Sequence, residues 1–266
     1  MTRVCLNGLL QNYESTHSNH SQPIPHFMKL SAYGHSDVGF LRETNEDSFL
    51  VSLEKGIFAV ADGVGGLPYG SLASLLAVEY FDALVQGPDD CVTPNELGAL
   101  ISKIHSNIIK CGPIVGGQNG IGTTFSGIRF LKGKFIFGHV GDSYILKYDK
   151  KAAELNQISK EHTLAAELIA KHGPDAANDM PEHYNHTLTR CLGQDIDFEV
   201  DGGEFEAVAG DKILLASDGL LNMVDPPDIS NLCASMDCQS LVKELIDQAN
   251  QNGGVDNTTV VCIDLV

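Results

Sequence analysis

The sequence predicts an α+β fold, and three observations carry that prediction. Strand-like runs at 123–130, 134–140 and 143–148 are separated only by Lys132-Gly133 and Gly141-Asp142, links so short that they predict antiparallel hairpins. Apolar residues recur at helical spacing over 72–84, 97–108 and 241–249. Strands and helices come in groups and do not alternate regularly, which argues against a doubly wound parallel sheet.

The elements follow in order. Residues 1–29 are polar and unperiodic, carry Pro23 and Pro25, and are expected to form a disordered tail; His17, His20 and His26 lie there without anything to fix their geometry. From Leu30 to Val266 the pattern is that of one domain. Ser31–Phe40 and Ser48–Leu53 read as strands, and Ile57–Ala61 as a short buried strand ending in Asp62. Leu72, Leu75, Leu76, Tyr80, Ala83 and Leu84 mark a first helix. Leu97 to Ile108 mark a second, with Pro94 near its start. Gly116–Gly122 is a glycine-rich turn without the Lys-Ser/Thr of a phosphate loop. Thr163–His172 predicts a short helix opening a mobile flap over about 160–188. Strand patterns return at 198–208, 211–216 and 258–266. Pro226-Pro227 is expected to mark a turn, and Leu241, Val242, Leu245, Ile246 and Ala249 a third core-facing helix.

Composition bounds the function. The net charge of −18 disfavours nucleic acid and anionic membranes as partners. No apolar run reaches the 18 or more residues of a membrane-spanning helix, and the first thirty residues lack the apolar core of a signal peptide. Seven scattered cysteines with no CxxC pair read as reduced structural thiols of a cytoplasmic protein.

Five acidic positions stand apart: Asp47, Asp62, Asp142, Asp218 and Asp256, each beside Gly, Asn or Glu at a strand boundary. Any one alone is ordinary turn chemistry. Together they point to a site for hard cations built from strand ends, because oxygen-only ligands suit Mg²⁺ or Mn²⁺ and not zinc.

Arg42-x-x-Asn45-Glu46-Asp47, Asp62-Gly63-x-Gly65-Gly66, Gly122-Thr123-Thr124, Gly141-Asp142-Ser143, Ser217-Asp218-Gly219 and Asp256-Asn257-Thr258-Thr259 occur in that order. This series resembles the metal-dependent protein phosphatases of the protein phosphatase 2C family, in their compact bacterial form, over about residues 31–266. The resemblance implies a four-layer α/β/β/α sandwich with two Mn²⁺ or Mg²⁺ ions at one end of two antiparallel sheets. It implies that Asp62 bridges both ions and the Gly63 carbonyl binds one. Asp218 and Asp256 would complete that set, Asp47 would hold the other ion, and Glu46 would act through water. Asp142 would help hold a weaker third ion, and Arg42 would bind phosphate. The implied chemistry is hydrolysis of phosphoserine and phosphothreonine by a hydroxide held between the ions. The expected partners are phosphorylated proteins, among them a serine/threonine kinase and its substrates, and the expected state is monomeric.

Three departures from the family pattern stand out. Val64 takes the place of a histidine proposed as general acid in eukaryotic members. Tyr144 stands where arginine is usual, and Glu161-His162 replaces Asp-His, with His162 expected to be a structural hydrogen-bonding residue. Cys191 lacks the Cys-x5-Arg loop of tyrosine phosphatases. The competing readings are a non-catalytic phosphoprotein-binding relative and a two-metal nuclease; the acidic charge opposes the latter.

Overall fold

A computed structural model describes residues 29–87, 90–195 and 199–266. The expected tail, with its three histidines and Cys5, therefore lies outside the described residues except for Lys29, as does Phe198. Lys29 itself belongs to the fold, exchanging backbone hydrogen bonds with Val266.

Among the described residues, ten strands form two antiparallel sheets. The first sheet is ordered β1 (Leu30–Asp37), β10 (Thr258–Leu265), β9 (Lys212–Ala216), β6 (Tyr144–Asp149) and β7 (Glu154–Gln157). The second is ordered β2 (Asp47–Ser52), β3 (Ile57–Asp62), β4 (Phe125–Leu131), β5 (Lys134–Val140) and β8 (Asp201–Glu206). Helices α1 (Gly70–Leu84) and α2 (Pro94–Val115) cover the second sheet, while α5 (Pro226–Ser235) and α6 (Cys238–Gln251) cover the first. The order of layers is thus α/β/β/α.

Both faces of each sheet are covered, which is why the central strands read as unbroken apolar runs. Along β3, Phe58 and Val60 point between the sheets and join Ile128, Ile145, Ile213, Leu215, Val261 and Ile263. Ile57, Ala59 and Ala61 point the other way, onto Phe81, Leu97, Ile101 and Ile104. In β10, Val260 and Cys262 likewise face Leu241, Leu245 and Ile246. All six described cysteines are free thiols, five of them buried.

Two expectations are corrected. β4 and β5 form the expected hairpin, but β5 and β6 do not, since they lie in different sheets. Gly141, at φ +111, turns the chain across the sandwich in the three-residue link Gly141-Asp142-Ser143. Pro226-Pro227 opens a helix, because a proline at the first helical position loses no hydrogen bond there. β7 and the short helix α4 (Asp218–Leu221) carry too few residues for periodicity to reveal them. The flap region holds α3 (Leu164–His172), capped by Thr163, followed by two short 3-10 turns up to Asn185.

Candidate metal centre

The strand register brings the acidic positions to one end of the sandwich. Asp47, first in β2, sits opposite Asp62, last in β3. Ala216 pairs with both Tyr144 and Val260, so the segments preceding β6 and β10 and following β9 converge there. Asp142, Asp218 and Asp256 stand on these segments. The result is a cleft of about 770 Å³ lined by Arg42, Glu46, Asp62, Asp142, Asp218 and Asp256.

Asp47 is buried and joins the sheets. Its Oδ2 accepts hydrogen bonds from the hydroxyls of Ser217 and Thr259, each at 2.7 Å, both carried by the other sheet. Its Oδ1 is buried without a hydrogen-bond partner. A buried carboxylate oxygen left bare is costly unless something cationic completes it.

The Asp62 backbone is clamped on both sides. Its carbonyl accepts from the Thr123 hydroxyl and the Thr124 amide at 2.8 Å each, and its amide donates to the Thr124 hydroxyl at 3.0 Å. The Asp62 side chain is thereby aimed into the cleft. Gly63 passes so close to the Gly70 peptide that a Cβ there would collide with it. Glu46 lies over the same helix start, its Oε1 2.9 Å from where a Cβ on Gly70 would be.

Asn257 builds the opposite wall. Its Oδ1 accepts from the Glu46 amide at 2.8 Å, and its Nδ2 donates to the carbonyls of Val38 at 2.9 Å and Thr44 at 3.1 Å. One side chain thus holds the loop that carries Arg42 against the start of β10. Arg42 Nη2 donates to Asp256 Oδ2 at 2.7 Å. Asp218 Oδ2 accepts from Asn222 Nδ2 at 3.1 Å and faces His186 Nδ1 at 3.8 Å.

Asp142 depends on a pair of histidines. His139 Nε2 donates to the Gly141 carbonyl at 3.0 Å, and the Gly141 amide donates to His162 Nδ1 at 3.0 Å. Both sides of the residue before Asp142 are therefore held by imidazoles. His162 faces Asp201 at 3.1 Å on its other nitrogen, and Arg190 bonds Asp201 at 2.8 Å. Burial, with His162 beside it, pushes His139 down to about 3, so it is neutral in the folded protein. Tyr144 is buried with its hydroxyl against Glu161, so it belongs to the packing behind Asp142.

The electrostatics show strain between like charges. Burial pushes Asp47 up to about 6, against the pull of its two hydroxyl donors. Asp62 rises well above the ordinary range through burial and the repulsion of Asp47, Asp218, Asp142 and Asp256. Burial and Asp218 raise Asp142 to about 8. Among the described residues no three acidic, histidine or cysteine side chains close on one point as a finished ligand cage. Arg42 lies instead against Asp256, and His186 faces Asp218, which raises its affinity for a proton. The bare Asp47 Oδ1, the mutual repulsion and the all-oxygen donor set fit divalent Mn²⁺ or Mg²⁺.

Every sequence-predicted site residue reaches this end of the molecule: Arg42, Glu46, Asp62, Gly63, Asp142, Asp218 and Asp256 line the cleft, and Asp47 lies beneath it. Glu182, His186, Leu188, Asn222 and Met223 also line it and were not foreseen. The first three come from the flap, where nothing periodic marks them. Ser217 and Asn257 adjoin motif aspartates and Thr259 lies three residues after Asp256, and that proximity was the available signal.

A family model for protein phosphatase 2C matches residues 41–257. The serine/threonine phosphatase stp of Listeria welshimeri is 30% identical over 240 residues, which cover 86% of this chain and 93% of that protein. The crystal structure of the Mycobacterium tuberculosis serine/threonine phosphatase PstP/Ppp superimposes with a TM-score of 0.79 at 30% identity, covering 89% of this chain and 98% of that one. The catalytic domain of the serine/threonine protein phosphatase PstP in complex with two manganese ions superimposes with a TM-score of 0.76 at 30% identity, again covering 89% and 98%.

Proposed function

The chain belongs to the protein phosphatase 2C family, and from that premise we propose that it is a metal-dependent phosphatase of phosphoserine and phosphothreonine in proteins. The observation that carries this reading is the cleft in which Arg42 lies beside Asp62, Asp142, Asp218 and Asp256 above the bare Oδ1 of Asp47.

Asp47, Asp62, Asp218 and Asp256, with Glu46 and the Gly63 carbonyl, would hold two Mn²⁺ or Mg²⁺ ions, and Asp142 would help hold a weaker third. Such ions, when bound, act as Lewis acids that make water a nucleophile near neutral pH and offset phosphate charge. Asp62, repelled by Asp47, Asp218, Asp142 and Asp256, is the carboxylate whose charge such ions would offset most. Asp256 turned toward an ion would release Arg42, whose planar fork then suits two phosphate oxygens. Water attacks phosphorus directly in this reading, without a phosphoenzyme. Cys191 is buried, raised to about 11, and does not line the cleft. Val64 lines the cleft without an ionisable group, so the leaving alkoxide takes its proton from water or another side chain.

The natural substrates would be proteins phosphorylated by a serine/threonine kinase, the kinase included, and the enzyme would act as a monomer in the bacterial cytoplasm. Among the described residues no helix is long and apolar enough to cross a membrane. Release of phosphate from a phosphothreonine peptide with Mn²⁺, with Mg²⁺ and after chelation tests the reading. Metal-dependent release that resists thiol blocking supports it. Metal-independent release, or none from the folded protein with any metal, overturns it.

A further inference from the structure

The cleft is acidic almost throughout, yet one stretch of its rim is apolar and open. Phe40 is 70% exposed, Leu41 69% and Val255 41%. These residues come from two separate segments that are tied together. The amides of Phe40 and Leu41 both donate to the Gly254 carbonyl, at 2.7 and 3.3 Å. Met223 joins them from a third segment, its carbonyl held by Asn252 Nδ2 at 2.7 Å. A Cβ added at Gly253 would lie 3.5 Å from Val255 Cγ1 and 3.8 Å from Met223 Sδ, so these two side chains flank one small gap.

The position of this ledge is its most informative property. Leu41 immediately precedes Arg42 and Val255 immediately precedes Asp256, and the two charged residues are bridged at 2.7 Å. Met223 and Val255 line the cleft itself, and Phe40 and Leu41 are tied beside Val255 through the Gly254 carbonyl, so apolar side chains extend from Arg42 toward the rim. Exposed side chains on a hydrogen-bonded frame face no ordering cost in their backbone when something binds them.

We propose that Phe40, Leu41, Met223 and Val255 form a subsite for an apolar side chain of the phosphoprotein, close in sequence to its phosphorylated residue. This rests on the phosphatase reading above and adds a substrate preference to it. Continuity with the cleft selects this occupant: a phosphate held at Arg42 places the adjoining residues of the same peptide over Leu41 and Val255. A second copy of the chain suits the ledge poorly. Four side chains offer at most a few hundred Å², a common size for a functional patch. A stable dimer needs about 800 Å² from each partner.

The test uses the Mn²⁺-loaded protein and two phosphothreonine peptides that differ only in flanking residues, Leu/Val in one and Ser in the other. The readout is the ratio of their kcat/KM values. The proposal expects the apolar peptide to be favoured by about ten-fold, the discrimination that a small apolar contact typically gives. In Phe40→Ser and Val255→Ser, each checked for folding by circular dichroism and thermal melting, the ratio should fall toward one, because KM rises more for the apolar peptide than for the Ser peptide. A ratio near one in the unsubstituted protein, or one that both variants leave unmoved, overturns the subsite. A dimer in solution that dissociates in Phe40→Ser while the ratio stays put assigns the ledge to self-association and also overturns it. If neither peptide nor p-nitrophenyl phosphate is hydrolysed, it is the phosphatase reading that fails.

Discussion

Asp47 and Asp62 face each other directly across the β2–β3 ladder, two carboxylates at one rung. Like charges at opposed strand positions repel, and here burial strengthens the effect. The strand pairing that shapes the fold therefore also creates the demand for a cation.

Replacing Asp62 by Asn keeps the shape and removes the ionisable group at the centre of the cluster. Turnover should fall below detection, while the metal-free protein should melt at a higher temperature than the parent, because a neutral amide escapes the burial and like-charge penalty that the Asp62 carboxyl bears. Near-normal phosphate release from this variant would sink the proposed mechanism.

The raised carboxylates give the metal-free protein a pH dependence of definite sign. Asp62, Asp142 (about 8) and Asp47 (about 6) hold protons in the folded state that the unfolded chain has released. Stability must fall as pH rises from the ordinary carboxylate range of roughly 4 up through these values. His139 and His162 act oppositely, since the unfolded chain takes up protons below about 6.5 that they refuse. Above that point the histidines drop out, so urea midpoints of chelator-treated protein should decline between roughly pH 6.5 and 8. Saturating Mn²⁺ should flatten the decline; a midpoint that climbs over this range without metal would contradict the assignment.

His162→Ala removes one side of the clamp on Gly141. The loss of a buried acceptor should cost about 1–3 kcal/mol in chemical denaturation. It should also loosen Asp142, so a calorimetric Mn²⁺ titration should lose its weakest step and retain the tighter ones. Equal weakening of every step would mean that His162 supports the whole end of the sandwich and not Asp142 in particular.

Arg42 and Asp256 are bridged, but their side chains are 46% and 26% exposed. Such a pair contributes little to stability, on the order of 0–1 kcal/mol. Arg42→Ala should leave the melting temperature nearly unchanged and lower kcat/KM by about 10- to 100-fold, the loss of a charge-assisted pair to phosphate. Arg42→Lys should recover part of the loss but not the two-pronged contact. An alanine variant with undiminished kcat/KM would remove Arg42 from phosphate binding.

Much of this was legible in the sequence, and for physical reasons. β3 and β9 have both faces covered, so they appear as solid apolar runs, β3 ending at Asp62 and β9 two residues before Asp218. α2 and α6 carry stripes long enough to be unmistakable. The β5–β6 link was misread because a link this short suits a hairpin and also, with Gly141 at φ +111, a three-residue crossing between sheets. Pro226-Pro227 was misread because proline both breaks helices and starts them. Of the site, the aspartates announced themselves through neighbouring glycines. The Asn257 anchor and the His162 side of the clamp depend on contacts between residues 219 and 21 apart, which no local pattern encodes.

The bond from Asp47 to Ser217 and Thr259 across the two sheets has an evolutionary consequence. Asp47 serves the architecture as well as the chemistry, whereas Asp256 holds only an exposed arginine and its neighbouring amide. A descendant that abandoned catalysis would be free to discard Asp256 early but would keep Asp47 under selection for folding. In judging whether a related chain is a live enzyme, retention of Asp256 is therefore the more telling mark, and retention of Asp47 alone says little.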